Sequence, residues 1–433
     1  MPRRVWQGTA LLVLGRVWGS ACTLATLYLL AHHLSAEAFG RYSFYLAIFM
    51  VLDTLADFGT GQVAVHMTSH DESAIRPVLA AARRIRLASA SLGVVLVSTA
   101  AFAWREPAAL WIAIASLYPV THVAELSATI FRNRIAWGVP VAMRAIAAAL
   151  SLTFVLVLRA RGATEASSYL LAVALGSASA NGLLYLVSRR HLPRAGSGSV
   201  AVRDILRLAW PLGIASLCQQ AYFYIDNLFV RAILGPEPLG PYNIGVRIMS
   251  YGIMVAIYAT QAALPWLARA ERDGALAAAV TRLSQPLFAL ACFGTGLVWP
   301  WTENLLALFH PSFASAGPST RWLLCATAVV YAGAGLMTAL VAAGEMRAIL
   351  RIALVALAAN LTANAFLVPS MGIEGAGIAT LITEVVVTLG AAHALGRGIQ
   401  RERVLGWCLG PLLFVLAAWL SSQLPLPHVT SVG

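Results

Sequence analysis

The sequence predicts an all-α integral membrane protein of about 12 to 13 transmembrane helices, and three observations carry that reading. Of 433 residues, 59% are hydrophobic and 11% charged, against roughly 25% charged residues in soluble domains, so the chain cannot clothe a water-soluble surface. Apolar runs of about 20 residues, the length that crosses a hydrocarbon core about 30 Å thick, recur along the chain. The 30 basic residues are all arginine and gather mostly in the short breaks between those runs.

Thirteen apolar runs lie near residues 10–31, 42–65, 87–104, 108–131, 141–158, 168–187, 208–234, 242–264, 286–300, 321–343, 351–368, 376–396 and 407–424. The ninth is short and would lengthen if it began before Pro286. The first follows Met1-Pro2-Arg3-Arg4 in the manner of a secretory signal. It contains Arg16 and runs about twice as long as a signal-peptide core, so it reads as an uncleaved span. In the loops on the N-terminal side there are 21 arginines, against five on the other side: Arg41, Arg105, Arg159, Arg161 and Arg321. That asymmetry places the N-terminus in the cytoplasm. A formal charge of +12 and a pI near 10.0 would suit a nucleic-acid partner in a soluble protein, but arginines in alternate loops orient helices instead, so no nucleic acid is expected. Cys22, Cys218, Cys292, Cys325 and Cys408 all fall inside apolar runs and read as core residues, with no metal site or disulfide framework.

The longest polar break, Ser188 to Asp204, contains Gly196-Ser197-Gly198-Ser199 and reads as a linker. It divides the chain into a six-helix lobe (residues 1–195), a second six-helix lobe (196–405) and an additional helix with a tail (406–433). Leu34, Glu37, Gly40 and Tyr42 recur as Leu234, Glu237, Gly240 and Tyr242, in each case where the first and second helices of a half join. With an even number of spans per half, the halves would be parallel repeats about an axis along the membrane normal, with substrate passing between them.

Leu34-Ser-Ala-Glu-Ala-Phe-Gly-Arg-Tyr42 followed by Asp57-Phe58-Gly59 resembles the opening of bacterial polysaccharide flippases of the Wzx type. Trp210-Pro211, Tyr224-Ile225-Asp226, Leu234-Gly235, Gly240-Pro241-Tyr242 and Pro265 are similar to that family's seventh and eighth helices. Gly372-Ile-Glu-Gly375-Ala-Gly-Ile-Ala-Thr380 looks like the start of its twelfth. The resemblance implies the multidrug/oligosaccharidyl-lipid/polysaccharide (MOP) exporter superfamily, whose two six-helix lobes form a V and alternate between inward- and outward-open states. It implies a bacterial inner-membrane location and an undecaprenyl-pyrophosphate-linked oligosaccharide as substrate, with glycan polymerase machinery as a candidate partner. A thirteenth span exceeds the twelve-helix core of the superfamily. Lipid II flippases and multidrug antiporters share the fold, so the fold transfers more safely than the substrate.

An ionisable residue inside a span costs roughly 2.5 to 3.5 kcal/mol on insertion scales and needs a partner, a cavity or a function. Arg16, Asp53, Asp57, Glu125, Arg144, Asp226, Arg231, Arg247 and Glu384 fall in this class. Helical rise puts Arg16 and Asp57 at similar depth near the cytoplasmic third. Asp226, Arg231 and Arg247 lie toward the outer third, and Asp53 and Glu384 near the midplane. A flippase must carry a pyrophosphate through the bilayer, and guanidinium stays charged and binds phosphate with a planar fork. Arg16 and Arg247 are therefore candidate pyrophosphate contacts, with Arg231 and Arg144 as further members of a cationic cavity. The alternatives are structural pairs, Arg16 with Asp57 and Arg247 with Asp226, and snorkelling of Arg144 and Arg231 from helix ends. Asp53 and Asp57 lie one turn apart, where like charges repel and favour a shared proton. That pair, or Glu384 near Asn360 and Asn364, could couple transport to a proton or sodium gradient. No other cofactor is implied.

Other patterns carry less. His66 and His70 have metal-pair spacing but lack the glutamate of a metalloprotease motif and read as loop residues. A chain without lysine has no Walker A loop. Gly15-x-x-x-Gly19 and Gly406-x-x-x-Gly410 suit close helix packing. Ala74 to Arg86, with Arg76, Arg83, Arg84 and Arg86, suits a surface helix on anionic membrane lipids. Pro119, Pro211 and Pro265 would bend or end helices. A multidrug antiporter would prefer an apolar or anionic cavity, against four embedded arginines. A membrane enzyme such as a polymerase would carry a larger outer loop than Trp301 to Thr320, which holds one acid, Glu303. Thirteen spans from a cytoplasmic N-terminus put residues after Leu424 in the periplasm. Alkaline phosphatase fused there is expected to be active, and an inactive phosphatase with a fluorescent cytoplasmic reporter at the same site removes the thirteenth span.

Overall fold

The computed structural model describes residues 3–68, 74–134, 138–192, 200–396 and 404–424, and every regular element among them is helical. The α-helices are α1 (Arg3–Ala31), α2 (Ala36–Asp57), α3 (Thr60–Thr68), α4 (Ile75–Ala103), α5 (Ala109–Ala115), α6 (Tyr118–His122), α7 (Thr129–Asn133), α8 (Gly138–Ala160), α9 (Ala166–Arg189), α10 (Val202–Leu234), α11 (Leu239–Gly252), α12 (Met254–Arg272), α13 (Leu276–Val298), α14 (Thr302–Ala307), α15 (Gly317–Ala342), α16 (Met346–Met371), α17 (Ile373–Leu395) and α18 (Val404–Ser422). Nine helical stretches among the described residues are long and apolar enough to cross a membrane. They are Ala36–Val65, Ile75–Ala103, Ala109–Phe131, Gly138–Ala160, Ala166–Arg189, Leu276–Ala307, Pro311–Ala342, Met346–Met371 and Ile373–Leu395.

Each of the thirteen expected runs is helical, those at 42–65, 108–131 and 242–264 being divided between helical segments. The four outside the nine differ for local reasons. In α1 and α18 the described apolar stretches, Val17–Ala31 and Leu409–Ser422, are shorter. In α10, of 33 residues, the uncharged stretch between Arg207 and Asp226 is made less apolar by Pro211, Gln219 and Gln220. In the α11–α12 pair, Leu239–Leu264 and Trp266–Arg272 meet at a 48° bend, where Pro265 falls. The ninth span does begin before Pro286, which lies inside α13.

The chain forms two compact units, Met1–Gln220 and Ala221–Gly433. The change of unit falls inside α10, downstream of the Ser/Gly segment at which the sequence divides. That segment and the expected boundary at 195/196 lie outside the described residues, as do His70 and the tail beyond Leu424. The first part of α10 joins the core of unit 1: Ile205 and Ala209 pack with Val63, Ile75, Val78, Leu79, Leu126 and Ile130. Farther along, Tyr222 packs with Leu336, Leu340, Ile352 and Val387 of unit 2.

In unit 1 the most enclosed span starts with α2, where Phe39, Tyr42, Phe44, Tyr45 and Phe49 are almost wholly buried. Ser35 caps its first turn by accepting the Ala38 N–H at 3.2 Å. Only 6% of the α8 span is interior, so α8, which packs on α9 and α1, is the least enclosed of the spans of this unit. Two spans of this unit are broken. Phe58 (φ 42°) and Gly59 (φ 74°) separate α2 from α3, and the fourth span passes through α5, α6, a 3₁₀ stretch at Val123–Ala128 and α7. Pro119 sits in the first turn of α6, where its missing N–H costs nothing.

One expectation is corrected here. Ala74 to Arg86 is no surface helix on lipid, because α4 begins at Ile75 and continues unbroken to Ala103. Its Ile75, Val78, Leu79, Ala82 and Ile85 face the core. Arg86 is buried with them, while Arg76 and Arg84 are exposed. The amphipathic period arises because the cytoplasmic turns of a span pack on their neighbours.

In unit 2, α15 is the enclosed helix, and α16 and α17 pack on each other closely. A Cβ at Gly375 would come within 2.2 Å of the Leu367 carbonyl oxygen, so only glycine permits this approach. The contact sets the register of Asn360 and Asn364 against Thr380 and Thr383. α18 packs on α13: Trp301 Nε1 donates to Ser421 Oγ at 2.6 Å, and that hydroxyl donates to the Leu297 carbonyl at 2.6 Å. The thirteenth helix is thus an integral layer of unit 2.

Candidate functional site

Each unit holds a polar cluster inside its membrane-spanning helices. In unit 1 the cluster grows from the two helix breaks. A broken helix in hydrocarbon frees backbone donors and acceptors that the protein must satisfy. Asp57, last residue of α2, accepts the Gly61 N–H at 3.1 Å, and the Thr60 hydroxyl donates to the Asp57 carbonyl at 2.6 Å. Arg86 of α4 then reaches across. Its Nη2 is bonded to Asp57 Oδ1, its Nε donates to Thr60 Oγ1 at 3.0 Å, and its Nη1 donates to the His122 carbonyl at 3.3 Å. One guanidinium therefore ties the α2/α3 break to the α6/3₁₀ break.

His122 continues the network, with Nδ1 2.7 Å from Asp53 Oδ1 and Nε2 2.7 Å from Ser177 Oγ. Glu125, on the 3₁₀ stretch, pairs with Arg144 of α8 at 2.5 Å. Arg83 donates to Ser127 Oγ at 2.9 Å and lies over the Tyr185 ring at 5.0 Å.

In unit 2 the centre is Asp226 of α10, 2% exposed. Its Oδ2 accepts from Tyr242 Oη at 2.7 Å and from Thr380 Oγ1 at 2.9 Å, and its Oδ1 accepts from Asn364 Nδ2 at 2.7 Å. Asn360 donates to Thr383 Oγ1 at 3.0 Å, and Asn243 to Asn227 Oδ1 at 2.6 Å. Among the described residues no cation pairs with Asp226; every donor to it is neutral. Asn227 Nδ2 and Asn364 Oδ1 are buried without a hydrogen-bond partner. Glu384 is 7% exposed, follows Thr383 in α17, and carries no ion pair among the described residues.

These positions sort the residues singled out from the sequence. Asp57 is held by Arg86; the side chain of Arg16, its expected alternative partner, lies outside the described residues. Asp53 and Asp57 share a face of α2 but have separate partners, His122 and Arg86. Arg144 pairs with Glu125. Asp226 is not paired with Arg247. Arg247 is half-buried on α11 and, among the described residues, has no hydrogen-bond or ion-pair partner. Tyr242, which does face Asp226, precedes it by five residues, so the two side chains leave the helix about 140° apart. Arg231 lies one turn beyond Asn227 on α10 and is half-buried.

Sequence reasoning does not single out Arg86, His122, Ser177, Tyr242 or Thr380 as site residues. Arg86 reads as a loop arginine, since the apolar run of its helix starts only at Leu87. His122 and Ser177 lie in apolar runs and are not charged by default. Tyr242 belongs to the internal repeat, whose two copies do sit at the α1/α2 and α10/α11 junctions; both tyrosines are buried.

A many-helix bundle with ionisable clusters enclosed among its spans defines a multi-pass membrane protein, and its fold is one found in exporters. It is similar to the lipid II flippase MurJ in an inward closed conformation, with a TM-score of 0.73 and 9% identity, covering 96% of this chain and 98% of that one. It is also similar to a multidrug resistance MATE family transporter of the MOP superfamily in an outward-facing conformation (TM-score 0.65, 15% identity, 96% of each chain). A further likeness is to a mutant of the Vibrio cholerae MATE transporter VcmN (TM-score 0.61, 12% identity, 94% of this chain and 98% of that one). At these identities the likeness is one of fold.

The chain belongs to the family described as polysaccharide biosynthesis protein, whose model matches residues 5–271. This bears out the resemblance to polysaccharide flippases. The uncharacterized membrane protein MJ1375 of Methanocaldococcus jannaschii is 26% identical over 194 residues, 45% of this chain and 46% of that protein. The match thus spans less than half the length of that curated relative.

The Arg86 hub yields a prediction. Removing one partner of a buried ion pair typically costs about 3 to 5 kcal/mol. The Asp57 side chain is 38% exposed, so screening puts Arg86→Ala toward the low end. Thermal melting of the purified protein is expected to show a clear loss for Arg86→Ala and a smaller one for Asp57→Asn, which keeps an acceptor for Gly61. Equal, negligible losses would remove Arg86 from this role.

Proposed function

We propose that this protein is a flippase that moves an undecaprenyl-pyrophosphate-linked oligosaccharide from the cytoplasmic to the periplasmic leaflet of a bacterial inner membrane by alternating access. The family and the exporter fold support a transporter in glycan assembly over an enzyme. The observation that carries the anionic substrate is Arg247. A guanidinium in a membrane helix is costly when alone, and this one has no partner among the described residues while Arg144 and Arg86 are paired. Such a cation fits an anionic group that arrives and departs. Its planar fork suits a pyrophosphate, while the sugar headgroup needs hydration and the polyprenyl tail stays in lipid. Arg16 and Arg231 complete the proposed cationic path, and the N-terminus is cytoplasmic in this reading.

Transport against a gradient needs an energy source, and we assign coupling to a proton or sodium gradient. Asp226 supports this: its carboxylate is buried among neutral donors, Tyr242, Asn364 and Thr380, so its charge is uncompensated until a small cation binds. The unpartnered Asn364 Oδ1 could serve such a cation after rotation of the amide, whose two ends are assigned from hydrogen bonding. Anionic lipids and glycan polymerase machinery are the other proposed partners.

The test is in cells that depend on this chain for surface glycan. Arg247→Ala is expected to abolish surface glycan at near-normal membrane abundance, because no bonded partner is left behind. Arg247→Lys is expected to keep part of the activity, since the charge survives without the fork. Full export by Arg247→Ala at wild-type abundance would remove Arg247 from the substrate path.

A further inference from the structure

We propose that His122, with Asp53 and Ser177, is a proton-binding site of unit 1, separate from the Asp226 cluster. The geometry starts with the ring, whose two nitrogens are both engaged at 2.7 Å, by a carboxylate of α2 and by a hydroxyl of α9. A neutral imidazole has one N–H and one lone pair, whereas an imidazolium has two N–H donors. Asp53 can only accept from Nδ1, which fixes the proton there. Nε2 is the position that gains or loses the second proton, and it faces a hydroxyl that can donate or accept. Asn181 Nδ2 lies 3.4 Å from that hydroxyl, and the amide can also turn to accept from it. Asp53, His122, Ser177 and Asn181 thus form a row. On protonation the Nδ1–H bond to Asp53 is kept, while the bond between Nε2 and the Ser177 hydroxyl reverses direction and Asn181 accepts from that hydroxyl once its amide turns.

The carboxylate bonded at Nδ1, Asp53, favours the charged form of the ring. On the elements packed against α6, the facing charged groups are Asp53 and Asp57 of α2, Arg86 of α4 and Glu125 of the adjoining 3₁₀ stretch, itself paired with Arg144. Arg83 of α4 is engaged by Ser127 and the Tyr185 ring and pairs with none of the three acids. From α9 only the neutral Ser177 and Asn181 are bonded into the row. The Tyr118 ring lies against the imidazole, tilted by 49° with centroids 4.2 Å apart. The His122 side chain is 13% exposed and the Asp53 side chain 33%.

The site also has mechanical reach. The His122 carbonyl accepts from Arg86, which is bonded to Asp57 at the other helix break. A change of charge at the ring is therefore felt at both broken spans. That proton loading serves transport rests on the flippase reading; that His122 binds the proton does not.

The experiment uses the full chain in nanodiscs with ¹⁵N-labelled histidine, the ring being assigned by the signal missing from His122→Gln. Expected is a reversible titration of that ring between roughly pH 5 and 9, its midpoint moved down by about one unit in Asp53→Asn. A ring that does not titrate in that range, or a midpoint unmoved by Asp53→Asn, overturns the proposal; if His122→Gln does not fold, assignment by Ser177→Ala and Asp53→Asn on the wild-type spectrum decides the same question. In proteoliposomes, His122→Gln is expected to lose the dependence of lipid-linked oligosaccharide transfer on an imposed pH gradient. Retention of the wild-type pH dependence overturns the transport role. Absence of transfer by the wild type would count against the flippase reading alone, with the titration still deciding the proton site.

Discussion

Hydrocarbon tolerates neither an unpaired charge nor an unbonded peptide group, and the architecture of unit 1 follows from that constraint at Arg86. Two spans of this unit are broken inside the membrane, at Phe58-Gly59 and around the 3₁₀ stretch at Val123–Ala128. Each break would be prohibitive in lipid. The Arg86 guanidinium bonds the His122 carbonyl at one break and, at the other, holds Asp57 and Thr60, whose side chains satisfy the Gly61 N–H and the Asp57 carbonyl. The side chain is buried because α4 begins early enough to carry it inside, and α4 begins there because Ile75, Val78, Leu79 and Ala82 find a core. Packing creates the interior, the interior makes the arginine obligatory, and the arginine makes the broken helices possible.

Unit 2 meets the same constraint differently. Asp226 has hydroxyl and amide donors in place of a counter-ion, supplied by α11, α16 and α17. Hydrogen bonds from neutral groups stabilise a carboxylate without cancelling its charge, which on the proposed reading leaves the site open to a coupling cation. A structural pair with Arg247 would have quenched both groups. Instead the helical phase between Tyr242 and Arg247 turns the arginine away, leaving an acid and a base each able to meet an external partner. In the proposed function, this separation serves a carrier that handles an anion and a coupling cation.

The helices are legible in the sequence because the bilayer imposes a length and a composition on every span, and each of the thirteen runs is helical, although the second, fourth and eighth are divided between helices. Two kinds of information are not legible there. Hydropathy counts an arginine as a boundary, so Arg83 and Arg86 mark a loop and the cytoplasmic turns of α4 read as a surface helix; only the packing shows that those turns have an inner face. Depth along a helix follows from sequence, whereas direction around it needs the neighbours. Helical rise sets Asp226 and Arg247 at similar height and makes each the other's alternative partner, and the phase difference of about 140° separates them. His122 stands in an apolar run with no charge to flag it, and its role depends on Asp53 and Ser177, distant in sequence.

On the proposed reading, these embedded charges serve movement of a lipid-linked anion across the bilayer, and the most direct measurement is transfer by the purified full chain in liposomes. Labelled undecaprenyl-pyrophosphate-linked oligosaccharide would be placed in one leaflet, and its appearance in the other followed with a membrane-impermeant reagent. Time-dependent transfer that accelerates when a proton or sodium gradient is imposed is the expected result. Transfer no faster than in protein-free liposomes, with the protein folded and the gradient present, would contradict it.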